Sequence, residues 1–349
     1  KNISTAVKKK AKIKSKWEQI LFINAIKKVE GSTEKIEKFN INETGKYPVI
    51  TQEREQIISG YSDNQNPVTD VPILLFGDHS CTLKYLDFKF FRGADGTVLL
   101  KPKDDFLPKY FYNVLQYGLL DLMENKEKYE RHYKYLQNLY IPRPPTDIQQ
   151  KIVAEIEVLE KKEADVKEKI EGLRKKIDEI IKNKFLHECK LGDIVFLEYG
   201  TALSEKDRIK GAYPVVGSNG IVGWHNDFLV EAPVIVVGRK GSAGKVNWID
   251  NNCTPIDTTF FVKTKDAKYS LKILYYAIKN LDLESLAGGT GVPGLNRNVA
   301  YTKNIKVPPL PEQQKIAAEI EKIEMRIVEA QEELDAMTEF KKAVLQKYL

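Results

Sequence analysis

The chain is short of the residues that build metal and redox sites: its 349 residues include only three cysteines, Cys81, Cys189 and Cys253, and four histidines. Cysteines so few and so scattered form no CxxC pair, so reduced structural thiols are expected and a metal is not. Long apolar runs are missing too. No stretch of 18 or more apolar residues exists, and the lysine-rich start is not followed by an apolar segment, so no membrane span or signal peptide is visible and the cytoplasm is the expected compartment. No glycine-rich cofactor loop follows a first strand, and no Asn-Pro-Pro-aromatic run is present. The run GRKGSAGKV at 238–246 is not a P-loop, because Arg239 stands where the first glycine is required and Val246 follows Lys245. Catalytic residues and cofactors are therefore expected to be none.

What is present is a pair of long heptad patterns. In the first, Ile152, Ile156, Leu159, Glu163, Val166, Ile170, Leu173, Ile177 and Ile180 follow a 4-3-4-3 spacing with one polar break, which predicts a coiled-coil helix of about 55 Å. A shift of 164 residues lays this seam on Ile316, Ile320, Ile323, Ile327, Ala330, Leu334, Met337, Lys341 and Val344 without a slip. The approaches also match, IPRPPTDIQQKIVAEIE in one copy and VPPLPEQQKIAAEIE in the other, with prolines holding an extended entry before each helix. The chain is a duplication.

Between the helices lie two units of short strands and turns. Residues 17–147 carry YPVI, VPILLF and TVLLK and then a helical PKYFYNVLQYGLLDLMEN; residues 189–311 carry YPVV, APVIVVG and TTFFVK and then YSLKILYYAIKNL. Tyr47 aligns with Tyr213, Gly77 with Gly238, Lys84 with Lys245, Asp95 with Asp257, Arg131 with Arg297 and Asn138 with Asn304. The expected order is a basic arm over 1–16, a first domain over 17–147, a helix over 148–188, a second domain over 189–311 and a second helix over 312–349. At 42% hydrophobic the chain can bury two ordinary cores, and its net charge of +6 is compatible with nucleic acid without requiring it. The arm, with lysines at 8, 9, 10, 12, 14 and 16, suits DNA or a solvated terminus, and a start without methionine admits a fragment or a processed piece.

Tandem units of this kind, a proline turn with PPLPEQQKIA, a long helix, and all of it again, resemble the specificity subunit of type I restriction-modification systems. PLPEQQ before the heptads and GRKGSAGKV carry the resemblance together with the tandem order, over nearly the whole chain. It implies an α+β fold: two duplicated α/β target recognition domains separated by two long antiparallel coiled-coil helices. It implies that each domain reads half of a split DNA target while the helices set the gap. The implied partners are double-stranded DNA, two methyltransferase subunits and, in the full complex, restriction and translocase subunits; S-adenosylmethionine and ATP would belong to those partners. Seam residues Ile152, Ile156, Leu159, Val166, Ile170, Leu173, Ile316, Ile320, Ile323, Ile327 and Leu334 are the expected spacer and docking set. A recognition region of a fused restriction-methyltransferase polypeptide and a coiled-coil adaptor without DNA binding stay open as alternatives.

Physical chemistry singles out contact candidates independently. In VIVVGRKGSAGKV an apolar strand enters a glycine-rich loop that aims Arg239, Lys240, Ser242 and Lys245 outward, Arg239 as a reader of guanine and Lys245 as a phosphate anchor. The matching loop, GDHSCTLKY, offers Asp78, His79, Ser80, Thr82 and Lys84 as a mixed donor and acceptor set, so different half-sites are expected. Arg131 and Arg297 suit phosphate clamps or salt bridges equally. AGGTGVPGLNRN, with Gly288, Gly289, Gly291 and Gly294, is expected to be a DNA-facing loop before Asn296 and Arg297 that orders on binding.

Overall fold

A computed structural model describes residues 13–123, 130–289 and 291–349; most of the expected basic arm, residues 1–12, lies outside them, as does Thr290 of the AGGTGVPG loop. The chain divides into two compact units, one of Lys1–Lys167 with Glu332–Leu349 and one of Glu168–Gln331.

The first unit opens with strand β1 (Gln19–Leu21), the short helix α1 (Phe22–Ala25) and strands β2 (Ile26–Lys27), β3 (Lys35–Ile36), β4 (Tyr47–Ile50), β5 (Gly60–Ser62), β6 (Ile73–Gly77), β7 (Leu83–Leu86), β8 (Phe91–Gly93) and β9 (Thr97–Pro102). One sheet has the order β2-β9-β6-β7 and a second the order β3-β8-β4-β5. Strand β6, ILLFG, is buried at every position, because it lies inside its sheet and is covered on both faces. Helix α2 (Pro108–Val114) starts on a proline, whose missing N–H costs nothing in a first turn. Its Tyr110, Phe111 and Val114 close the core over Phe22, Leu74 and Phe76, each such side chain contributing roughly 1.5–3 kcal/mol on burial. Helix α3 (Tyr133–Leu136) and strand β10 (Tyr140–Pro142), paired with β1, lead to the 39-residue helix α4 (Thr146–Lys184).

The second unit repeats the plan through β11 (His187–Lys190), α5 (Leu191–Ile194), β12 (Val195–Tyr199), β13 (Tyr213–Gly217), β14 (Gly220–His225), β15 (Val234–Gly238), β16 (Val246–Ile249), β17 (Thr254–Pro255), β18 (Thr259–Thr264), α6 (Leu271–Lys279), α7 (Arg297–Tyr301), β19 (Asn304–Val307) and the 39-residue α8 (Leu310–Tyr348). Sheet β12-β18-β15-β16 has the order of β2-β9-β6-β7, and β14-β13-β17 corresponds to β5-β4-β8 with the edge strand β3 left out.

Within each unit the long helices run antiparallel. In the first, Lys347 reaches Glu155 at 2.7 Å and Lys341 pairs with Glu163; in the second, Lys184 reaches Glu319 at 2.7 Å. Ile152 and Ile156 pack with Leu345 and Leu349, while Ile177, Ile181 and Phe185 pack with Ile316 and Ile320. Near the end of α4 the seam moves one residue, Ile181 being buried and Ile180 half-buried, because an unsupercoiled helix of 3.6 residues per turn drifts from a strict heptad. The polar break at Glu163 meets the polar break at Lys341. Lys341, only 4% exposed, also lies 3.3 Å from the Tyr117 hydroxyl, and Lys167 donates to Glu163 at 2.6 Å.

The QQ pair common to both helix entries now has a reason. Gln149 is buried, accepts the Leu107 N–H at 2.8 Å just ahead of α2 and donates to the Asp105 and Pro144 carbonyls. Its duplicate Gln313 accepts the Ser270 N–H at 3.0 Å just ahead of α6 and donates to Pro308. Each glutamine satisfies backbone groups that burial would otherwise strand, and so fixes a domain helix to the start of a long helix.

Candidate nucleic-acid interface

In the second unit, β15 delivers its chain into the 239–244 loop, which closes when Gly238 N–H donates to the Lys245 carbonyl at 2.8 Å. Gly244 must be glycine: its φ is +88°, and a Cβ would lie 2.3 Å from the Glu284 backbone nitrogen. The loop holds Arg239 so that its guanidinium carbon lies 5.3 Å from the centre of the Tyr199 ring, at the end of β12, while Nε donates to the Asp257 carbonyl at 2.8 Å. Arg297, the first residue of α7, sits 4.6 Å from the same ring and donates to the Leu197 carbonyl. Asn296 caps that helix, its side chain accepting from Asn298 N–H at 2.9 Å. Tyr199 is 49% exposed. Two guanidinium groups thus converge on one half-exposed phenol ring, and among the described residues neither makes an ion pair. Such a place attracts anions and carbonyl-rich base edges.

Lys240 and Ser242 are exposed beside it, and Lys245 donates to Asn219 Oδ1 at 2.6 Å. The glycine-rich segment is pinned to this loop: Gly241 N–H donates to the Pro293 carbonyl at 3.0 Å, Leu295 N–H to the Arg239 carbonyl at 2.8 Å, and Gly288 and Gly294 exchange bonds. These bonds tie the described part of the glycine-rich segment to the 239–244 loop.

The first unit builds the matching loop differently. Asp78 is 7% exposed; its carboxylate accepts Tyr133 N–H at 2.7 Å at the start of α3 and its carbonyl accepts from His132 at 2.8 Å. Lys84 is 8% exposed and gives its ammonium to the Gln56 carbonyl at 2.7 Å and the Ile57 carbonyl at 3.3 Å, with burial pulling its pKa down. Both were expected as DNA contacts; the fold turns both inward, where the Asp78 carboxylate accepts the Tyr133 N–H and the Lys84 ammonium donates to the Gln56 and Ile57 carbonyls. His79 and Ser80 are partly exposed; Gln52 Oε1 accepts from His79 N–H, and the hydroxyls of Ser80 and Thr82 lie 2.8 Å apart. Exposed Arg54, which sequence reasoning missed, holds the Ser80 carbonyl through Nε and Nη2.

Two alignments change. Gly77 N–H bonds the Thr82 carbonyl as Gly238 N–H bonds that of Lys245, so Thr82 and not Lys84 is the counterpart of Lys245, and the second loop is two residues longer. Arg131, exposed, precedes the cap of α3, whereas Arg297 begins α7, so the two arginines do not occupy equivalent places. Tyr199 and Asn219 were also missed; nothing local in VFLEYG or GSNG marks them, since only the fold brings them to Arg239 and Lys245. The seam residues named as spacer and docking positions are turned into the chain's own core, Ile152, Ile156 and Ile320 at 0% exposure and Ile323, Ile327, Leu159 and Leu334 half-buried. Among the described residues, no group of three or more His, Cys, Asp or Glu is arranged to hold a metal ion and no helix is long and apolar enough to cross a membrane.

The fold is thus a tandem one: two α+β domains of like sheet order, each followed by a long helix, with the two helices antiparallel within each unit. The family model for the type I restriction modification DNA specificity domain matches residues 14–173 and again residues 186–337, and the chain belongs to this family. No curated protein matches it. Among solved structures it is similar to the type I restriction-modification S subunit of M. genitalium, at 19% identity and TM-score 0.59 over 95% of this chain and 96% of that one. It is also similar to a chain from a structure concerned with assembly and conformational transition of the type I system, at 13% identity and TM-score 0.52 over 95% and 97%.

Proposed function

We propose that this chain is the DNA-reading specificity subunit of a restriction-modification complex, each domain reading one half of a bipartite, asymmetric target while the helices set the gap. The convergence of Arg239 and Arg297 on Tyr199, without a carboxylate partner among the described residues, carries this reading. Paired guanidiniums held ready without internal neutralisation suit phosphate and guanine, and Arg239, with Nε already committed, has its two Nη groups left for O6 and N7. Lys240, Ser242, Lys245 and Asn296 border that contact; in the first domain His79, Ser80, Thr82, Arg54 and Arg131 form the different set that an asymmetric target needs. Chemistry belongs to the partners. Two methyltransferase subunits would dock on the outer faces of the helices, where Val158, Met325 and Val328 are more than half exposed, and restriction and translocase subunits would join in the full complex, in the cytoplasm. The chain itself would bind no cofactor.

The test is to co-express the chain with methyltransferase subunits and sequence the methylated positions in the DNA. A split site with a fixed gap is expected; a single continuous site, or methylation unaffected by removal of this chain, would overturn the reading.

A further inference from the structure

The same side-chain assembly occurs twice where a domain meets its long helix. In the first unit Lys109 of α2 reaches Glu160 of α4 at 2.9 Å and lies 5.0 Å from the centre of the Tyr85 ring and 5.3 Å from that of Tyr112. Those two rings are 6.0 Å apart at 61°. In the second unit Lys272 of α6 reaches Glu324 of α8 at 2.9 Å and lies 3.9 Å from the Trp248 ring, which sits 5.6 Å from Tyr275, again at 61°. Both lysines are largely shielded, at 23% and 12% side-chain exposure. The aromatic partner comes from β7 or β16, the strand that leaves the recognition loop: Tyr85 stands three residues after Thr82, and Trp248 three after Lys245. Each lysine therefore ties the outgoing arm of the recognition hairpin to the long helix, through a cation held between a ring face and a carboxylate. Gln149 and Gln313 fix the other side of the same joint. A hydrophobic contact tolerates sliding; an ammonium gripped by a carboxylate on one element and a ring on another fixes direction as well as distance.

We propose that Lys109 and Lys272, with Glu160 and Glu324, are positioning residues that fix the angle of each recognition hairpin on its helix and thereby hold the complex to one gap length. This rests on the DNA-reading function above. The assay uses the assembled methyltransferase complex and three DNA duplexes that carry both half-sites methylated by the wild type, at the native gap, one base pair shorter and one longer. K109M/K272M keeps the apolar stem and removes both cations; K109R/K272R keeps a cation at both joints. The methionine variant is expected to methylate the native duplex within about threefold of wild type and to discriminate against the other two roughly tenfold less, a factor in keeping with the loss of a shielded ion pair and cation–π contact; the arginine variant is expected to stay strict. Unchanged discrimination in the methionine variant, or equal loss on all three duplexes by a variant with wild-type circular dichroism, would overturn the positioning role. Failure of the wild-type complex to methylate any bipartite duplex would instead sink the functional reading itself.

Discussion

The polar layer at Glu163 and Lys341 makes a quantitative demand on stability. Replacing Glu163 with isoleucine leaves the Lys341 ammonium, in a residue 4% exposed, with no carboxylate in ion-pair reach among the described residues and the Tyr117 hydroxyl and ring beside it, and a stranded buried cation of this kind costs about 3 kcal/mol. Replacing Lys341 with isoleucine costs less, about 1–2 kcal/mol, since Glu163 keeps Lys167 and its side chain is 24% exposed. The E163I/K341I double variant restores an apolar layer and is expected to match or exceed wild-type stability by up to ~2 kcal/mol. A double-mutant cycle in urea should thus return a coupling of about 4–7 kcal/mol. Burial pushes the Glu163 carboxyl up, but the bonds from Lys167 and Lys341 outweigh it and hold the pKa below its ordinary value. The stability Glu163 contributes is therefore complete above the unfolded value of about 4.3 and is lost as pH falls through the lower folded value, and the coupling should shrink over that interval. Singles whose losses simply add in the double variant at neutral pH would show that the two charges do not sense one another.

Arg239→Ala should relax recognition of one half-site only, by about 1–3 kcal/mol for a paired contact to guanine; methylation mapping that shows equal loss at both halves would exclude that role. Binding of the assembled complex to its target should weaken steeply as salt rises, with a log–log slope of about −0.9 per phosphate contacted, and a flat titration would count against DNA as the partner. Inserting one heptad after Glu171 with a matching heptad after Asp335 keeps both seams in register and adds about 10 Å to the helices, or about three base pairs of gap; sequenced methylation sites with an unchanged gap, or altered half-sites, would show that the helices do not measure DNA.

The long helices, their pairing partners and the duplication were legible because heptad spacing and a 164-residue shift are properties of the sequence itself. The entry motif was legible as a motif but not as a joint, since Gln149 finds Leu107 and Gln313 finds Ser270 only after folding. Recognition loops were harder. GDHSCTLKY looked like a row of donors and acceptors, yet Asp78 and Lys84 turn inward, because the polarity of a side chain does not say whether its partner is solvent or a buried carbonyl. Tyr199 carried no sign at all; only the fold brings Arg239 and Arg297 to its ring, from segments far away in the chain.

A chain made of two like halves faces a problem of self-recognition, and the polar layer bears on it. The 164-residue shift carries Glu163 onto Ile327, and carries Ile177 onto Lys341; Ile177 and Ile327 lie together in the apolar cluster of the second unit. Were α4 of one molecule to take α4 of another in the same antiparallel register, each Glu163 would face an isoleucine, and were α8 to take α8, each Lys341 would. An α8–α8 exchange buries two lysines against apolar neighbours at several kcal/mol apiece, and an α4–α4 exchange costs less because each Glu163 keeps Lys167, whereas α4 against α8 pairs Glu163 with Lys341. A single mismatched layer thus works as an address, sending the first helix to the second half of its own chain and away from its twin in a neighbouring molecule.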